Sequence, residues 1–333
     1  MAKTYLVTGG TGFIGSGLVR ALLSAGHRVR TLDNDSRGSQ AKLAAALGPR
    51  LAEVDRRTGD IRDAAAVSEA VRGVDGVCHL AYVNGTEYFY SKPELILDVA
   101  VKGMVNVIDA CLAAGVGDLV LASSSEVYQT PPTVPTDETV PMVVPDPLNP
   151  RFSYGGGKII SELMAINWGR KHFRRVTIFR PHNVYGADMG WEHVVPQFAA
   201  RMKVLIAERP AGIIPFPIQG SGTETRSFIH IDDAAAGILT VVEKGEHLGI
   251  YNVGTGDEVS VADLARAVAA WFGREIEVIP GKLQPGSTPR RCPSVAKLSA
   301  LGFRPRVSLK EGLTRTLEWY AANPAPPREK PGS

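Results

Sequence analysis

The chain has 333 residues, 44% of them hydrophobic and 21% charged, and a net charge of +3. That is enough chain for one large domain or two intimate lobes, and the near-neutral balance carries no electrostatic footprint for nucleic acid. The three cysteines (Cys78, Cys111, Cys292) are scattered without metal-ligand spacing, no apolar run reaches membrane-spanning length, and the first residues read as no export signal. The expected setting is therefore reducing and cytoplasmic, with no bound metal.

In chain order, residues 5–8 read as a strand, 13–25 as a helix and 28–33 as a strand. Strands at 76–81 and 118–123 follow, with a helix at 95–114 between them, then a helix at 154–172 and a strand at 175–180. Apolar strands alternating with helices predict an α/β fold, a doubly wound parallel sheet of Rossmann type covered on both faces. Past about residue 181 the pattern loosens into loops, with short strands at 213–218, 227–231, 250–253 and 275–279 and a last helix at 309–320. The expected division is 1–181 for a dinucleotide-binding domain that also carries the catalytic residues. Residues 182–322 form a smaller mixed α/β substrate-binding portion interleaved with it. The proline-rich stretch 323–333 reads as a disordered tail.

The run Val7-Thr-Gly-Gly-Thr-Gly-Phe-Ile-Gly15 lies between the first strand and the first helix. Glycines at that spacing allow a tight turn, close approach of backbone to a pyrophosphate and a helix N-terminus aimed at it. Asp33 ends the second strand, eighteen residues after Gly15. A carboxylate there accepts from ribose hydroxyls and repels a 2′-phosphate, which argues for NAD over NADP; Arg37 is the residue that could complicate the choice. Asp60 and Ile61, at the end of the third strand region, fit an adenine contact, or a plain loop carboxylate in the case of Asp60.

Tyr154 and Lys158 are four residues apart, one helical turn, so phenol and ammonium share a face. A tyrosine of pKa near ~10 is a poor base at neutral pH, and making it one takes about 4 kcal/mol of differential stabilisation. The ammonium, with an oxidised nicotinamide, is expected to favour the phenolate, which could then take a proton from an alcohol as the same carbon is oxidised. Alone, the spacing would equally suit an exposed helix pair. Between the two stand Gly155, Gly156 and Gly157, each costing a helix about 1 kcal/mol relative to alanine. Close approach by substrate, nicotinamide or a neighbouring helix is expected there, with Gly156→Ala as the costly change.

Together these pieces make the chain resemble the extended short-chain dehydrogenase/reductase family, in its NAD-dependent nucleotide-sugar epimerase/dehydratase branch, over about residues 3–320. Its landmarks are Thr8-Gly-Gly-Thr-Gly-Phe-Ile-Gly15, Asp60-Ile61, His79-Leu-Ala81, Ser123-Ser-Ser-Glu-Val-Tyr128, Tyr154-x-x-x-Lys158, Arg180-Pro-His-Asn-Val-Tyr-Gly186, Thr225-Arg-Ser-Phe-Ile-His-Ile-Asp-Asp233 and Tyr251-Asn-Val-Gly254. The resemblance implies NAD held by Gly9, Gly12, Phe13, Ile14, Gly15, Asp33, Asp60, Ile61, Leu80, Ala81 and Pro181, with Tyr154 and Lys158. Tyr154 would be the base, Lys158 would hold the nicotinamide ribose, and Ser124 would hydrogen-bond the reacting sugar oxygen. Ser125 would also face the sugar. Asn183 would meet the sugar-nucleotide pyrophosphate and Arg226 a phosphate. Arg290 or Arg291, in Gln284-Pro-Gly-Ser-Thr-Pro-Arg-Arg291, would form a second phosphate contact; a solvated surface charge is the alternative reading for each arginine.

The implied first step is oxidation at sugar C4 with hydride passing to tightly bound NAD, which acidifies the C5 hydrogen. Glu126 occupies the place where the family's 4,6-dehydratases and UDP-glucuronate decarboxylases carry a glutamate, so it could take the C5 proton or assist loss of a C6 group. It could equally be a structural glutamate. Ser125 replaces an aspartate found in one dehydratase subgroup. Aromatic Tyr82-Val-Asn-Gly-Thr-Glu-Tyr-Phe-Tyr90 and the insert Asp188-Met-Gly-Trp-Glu-His193 are unusual, with Trp191 and His193 candidates for contacting base or sugar, or for packing. The leading expectation is a lyase-type epimerase/dehydratase acting on a UDP-, dTDP-, GDP- or CDP-sugar, probed against a simple 4-epimerase, a net NAD(P)-dependent keto-sugar reductase and a non-catalytic dinucleotide sensor. By the same resemblance the helices at 95–114 and 154–172 would pair in a homodimer.

Overall fold

A computed structural model describes residues 2–283 and 286–323. Its centre is a seven-stranded parallel sheet. In chain order the first six strands are β1 (Thr4–Thr8), β2 (Arg28–Asp33), β3 (Val54–Thr58), β4 (Gly76–His79), β5 (Asp118–Ala122) and β6 (Arg175–Pro181), and the seventh is Gly249–Val253. The spatial order is β3, β2, β1, β4, β5, β6, then Gly249–Val253. Because strand side chains alternate, each strand feeds two cores. In β1, Leu6 joins the core under the Pro93–Ala114 and Ser153–His172 helices. Its neighbours Tyr5 and Val7 join the core under the Phe13–Ser24 and Ile231–Lys244 helices. The strand order reverses between β1 and β4, and the crevice beyond their carboxyl ends is where such sheets take ligands.

The first half follows the expected elements to within a few residues. The long helix starts at Pro93, whose missing N–H costs nothing at a first helical position, and ends at Gly115, φ +68. The second half departs from the expectation of loops. It holds the helix Ile231–Lys244 and the helices Val194–Glu208, Val261–Trp271 and Leu309–Ala322, the last three packed with the Ile214–Pro217 and Ile276–Ile279 strands around a third apolar core of Phe198, Phe216, Leu264, Leu317 and Tyr320. The strand expected at 227–231 is two short pieces, Thr225–Ser227 and Ile229–His230, and Ile231 opens a helix. His230 Nδ1 caps that helix by accepting from Asp232 N at 3.3 Å, and Asp232 and Asp233 suit its positive first turn. Two elements of this half serve the main sheet: Gly249–Val253 is its edge strand, and Ile231–Lys244 covers a face. Among the described residues no helix is long and apolar enough to cross a membrane.

Candidate active site

A cleft of about 470 Å³ opens at the strand reversal and runs from Asp33 and Asp60 past Gly9, Gly12 and Gly15 to Ser124, Tyr154 and Lys158. The glycine turn is closed to side chains. A Cβ on Gly9 would lie 2.7 Å from Ala81 N, and one on Gly15 only 2.0 Å from Gly9 O. Gly9 also holds φ +75, in the left-handed region. The helix that follows, Phe13–Ser24, has no side-chain cap, so its leading N–H groups remain for an anion. Behind the turn, Thr8 Oγ1 accepts from Leu80 N and Ala81 N, each at 3.2 Å, which fixes the wall opposite the glycines.

Asp33 is buried, with Oδ2 accepting from Thr11 N and Oδ1 from Asp35 N, both at 3.0 Å. Each oxygen keeps capacity for a ribose hydroxyl. Arg37 also lines the cleft, its guanidinium over the Tyr88 ring at 4.6 Å and 3.6 Å from Glu192. Asp60 is held by Arg62 and Asn34, and the Arg62 hydrogen bond brings its carboxyl down to about 2. Ile61 fills the gap left by Gly103, where a Cβ would lie 2.3 Å from Ile61 Cδ1. This cradle fits a dinucleotide: glycines that a Cβ would jam, free helix amides and a fixed carboxylate at ribose distance along the strand end.

Ser124, Tyr154 and Lys158 are buried at the other end of the cleft. Ser124 Oγ caps the turn Ser125–Tyr128 by accepting from Glu126 N at 3.2 Å, which leaves its hydrogen free to donate. Burial pushes the Tyr154 phenol up to about 12, with the Ser124 hydrogen bond pulling down and the Glu126 charge pushing further up. Lys158 Nζ is 6.0 Å from the Tyr154 ring centre, donates to Ala122 O at 2.7 Å, and is itself pushed down to about 7 by burial.

Glu126 meets Arg291, whose Nη1 donates to Oε1 at 2.6 Å. Burial pushes the Glu126 carboxyl up, but Arg291, Arg151 and Arg226 outweigh it and hold the group below its ordinary range. Arg291 and Arg226 are paired across neighbouring strands, so they share a face; Arg290, one residue along, points away and binds Glu258 through Nε and Nη2 at 2.9 Å. The expectation that Arg290 serves the substrate is therefore corrected in favour of Arg291. Nε of both Arg151 and Arg291 is buried without a partner. Asn183 lines the cleft with Nδ2 donating to Ser227 O at 2.9 Å. Pro181, at the end of β6, and Ser125 line it too. Trp191 does not contact substrate space: its ring stands edge-on to Tyr320 at 4.7 Å and anchors the 188–193 segment to the last helix. Residues Gln284 and Pro285 of the second phosphate segment lie outside the described residues.

A family model described as the NAD dependent epimerase/dehydratase family matches residues 5–254. The chain belongs to this family. It is 31% identical to a dTDP-glucose 4,6-dehydratase of Streptomyces antibioticus, over 96% of this chain and 93% of that one. It is 30% identical to UDP-glucuronic acid decarboxylase 6 of Arabidopsis thaliana, over 92% and 86%. The structure of a Thermus thermophilus UDP-glucose 4-epimerase in complex with NAD superposes with a TM-score of 0.81 at 30% identity, over 96% and 99% of the chains. Relatives with three different outcomes stand at nearly equal identity, so likeness alone does not choose among them. The family membership makes the chain an NAD-dependent enzyme.

Within this epimerase/dehydratase frame the three helix glycines part company. A Cβ on Gly155 would lie 2.8 Å from Gln129 Nε2, and one on Gly157 would lie 2.3 Å from the Tyr82 hydroxyl, whereas Gly156 would meet only Val144 Cγ2 at 3.6 Å. Close approach by the protein's own atoms is thus met at positions 155 and 157 and not at 156. Gly156→Ala is expected to keep cofactor and to gain about 1 kcal/mol from helix propensity, while Gly155→Ala loses stability; urea melts of the two variants check it. Residues that the sequence reading passed over also belong to the cleft: Ser36, Gly38 and Lys42 after Asp33, and Phe89 stacked on Tyr154 at 4.8 Å. Gly38 carried a readable signal, since it follows Asp33 closely and packs where a Cβ would meet Thr11 O at 2.4 Å.

Proposed function

We propose that the enzyme oxidises C4 of a nucleotide-linked sugar and that this sugar is a uronate, which then loses its C6 carboxylate as carbon dioxide. NAD would supply the two-electron oxidant for C4 and the positive charge that draws the phenol down. Tyr154 takes the C4 hydroxyl proton, Ser124 donates to the same oxygen, and Lys158 holds the cofactor ribose. A C4 ketone stands β to C6, so the C5–C6 bond breaks with its electron pair entering the enolate, C5 then takes up a proton, and hydride returning to C4 with the Tyr154 proton going back to its oxygen would leave NAD oxidised again.

The observation that carries this choice is the Glu126–Arg291 pair at 2.6 Å. A carboxylate held ionised by guanidinium groups starts as a base and becomes a proton donor only after it has itself taken up a proton. Departure of a C6 hydroxyl needs a donor, and Ser125, beside Glu126, is too weak an acid. Departure of carbon dioxide needs none. The buried Nε donor of Arg291, which lines the cleft, suits a substrate carboxylate. Arg226 and Asn183 remain for the pyrophosphate.

Incubation with UDP-glucuronate and with UDP-, dTDP-, GDP- and CDP-hexoses, followed by mass spectrometry and NMR, tests the reading. Loss of carbon dioxide from the uronate with no net NADH is expected. Loss of water from a hexose, unchanged mass with inverted C4, or net reduction of a keto-sugar would overturn it.

We also infer a homodimer through the Pro93–Ala114 and Ser153–His172 helices, because Leu97, Val105, Ile160 and Leu163 are exposed on them. Sedimentation equilibrium checks this. Three free, buried cysteines support a cytoplasmic location. The 1–181 and 182–322 division remains a functional one, with cofactor and catalytic residues in the first part and phosphate contacts in the second.

A further inference from the structure

Two peculiarities of the sequence meet at one point. The aromatic segment after β4 begins with Tyr82, and the helix of the base carries Gly157. A Cβ on Gly157 would lie 2.3 Å from the Tyr82 hydroxyl and 2.9 Å from Ala100 Cβ. Tyr82 fills that notch. Its hydroxyl donates to Tyr154 O at 3.4 Å, and its ring stands edge-on to the Tyr154 ring at 5.2 Å and 83°. The face of the same ring lies 3.7 Å from Lys158 Nζ. An ammonium has three donors. One is on Ala122 O at 2.7 Å, the ring face takes up a second direction, and the third is left for the cleft.

We propose that Tyr82 is a positioning residue for Lys158: its ring aims the buried ammonium at the cofactor, and position 157 is glycine to admit it. The proposal rests on the reading that Lys158 holds the cofactor ribose. Phenol, ammonium and the ring between them form one packed unit, which explains why an aromatic residue after Ala81 and a glycine before Lys158 occur in the same chain. A desolvated cation–ring contact is strong enough to matter. Its loss corresponds to about thirtyfold in affinity for whatever the ammonium holds.

The test compares Tyr82→Leu, Tyr82→Phe, Gly157→Ala and Lys158→Met in the full chain. NAD affinity is measured by equilibrium dialysis, folding by urea melts, and exposure of Lys158 by competitive acetylation read by mass spectrometry. Tyr82→Leu keeps the bulk and loses the ring face, so NAD affinity is expected to fall about thirtyfold and Lys158 to acetylate faster. Tyr82→Phe keeps the face and is expected to bind NAD within about threefold of the parent. Gly157→Ala weakens NAD binding, and adding Tyr82→Phe, which removes the clashing hydroxyl, restores part of it. Lys158→Met weakens NAD whether or not Tyr82 matters. If it does so while Tyr82→Leu binds NAD and acetylates like the parent, the role of Tyr82 is overturned. If Lys158→Met binds NAD normally, the ribose reading beneath it fails instead. Equal losses in Gly157→Ala and the double variant would overturn the pairing of Tyr82 with Gly157.

Discussion

Tyr154→Phe is expected to reduce turnover by about a thousandfold or more while the protein keeps its NAD, its fold and its melting behaviour. General acid–base catalysis by a placed side chain contributes ~100–10,000-fold. The ring that remains still stacks on Phe89 at 4.8 Å and meets Tyr82 edge-on at 5.2 Å. The phenol oxygen is the only atom lost, so the change isolates the proton transfer from the packing around it. Bound NAD per chain, turnover of the responsive sugar and a urea melt measured together check the claim. A Phe variant that turns over at the parental rate would remove Tyr154 from the mechanism. A variant that loses NAD would show that the phenol is a cofactor ligand first.

The largest expected stability effect comes from a pair not assigned any role in the chemistry. Glu162 and Arg180 are 0% and 2% exposed and meet at 2.6 and 2.8 Å in a two-pronged salt bridge. Ser123 donates to Glu162, and Arg180 Nη1 donates to Tyr128 at 2.8 Å, whose hydroxyl donates to Asn252 at 2.9 Å. Removing one partner leaves a buried charge uncompensated, so Arg180→Met is expected to cost about 3–5 kcal/mol. Glu162→Met with Arg180→Met should cost less than either alone, because no lone charge remains. Denaturant midpoints for the single and double variants check this; a double variant no more stable than the singles would mean that packing, not charge, sets the cost. The pair also reaches the active site. Glu162 lies one turn beyond Lys158 and its charge favours the ammonium, so Glu162→Gln should leave Lys158 more readily neutral and quicker to acetylate.

The cofactor half of the site was readable because it is local. Gly9, Gly12 and Gly15 sit within one turn, and Asp33 ends the next strand, so spacing alone carried the geometry. The edge strand Val54–Thr58 was harder to delimit because only Val54 is buried and the rest of Val-Asp-Arg-Arg-Thr is polar, as edge strands often are. The Ile231–Lys244 helix was hidden behind the run Ser-Phe-Ile-His-Ile, which reads as one strand until His230 caps a helix and breaks it. Choosing Arg291 over Arg290 depended on strand register, which brings residues distant in sequence onto one face. Trp191 stayed open between a ligand contact and packing because its partner Tyr320 lies far along the chain.

The seventh strand, Gly249–Val253, has a consequence for how the protein is made. It covers the edge of β6, whose Val176, Ile178 and Phe179 are fully buried in the finished molecule. On the ribosome, a chain that has just completed β6 must emerge through 182–248 before that edge can be paired. Until then it exposes a row of unpaired backbone groups flanked by apolar side chains, the kind of surface that captures other chains. A chain cut after residue 181 is therefore expected to self-associate through that edge, a result light scattering would check.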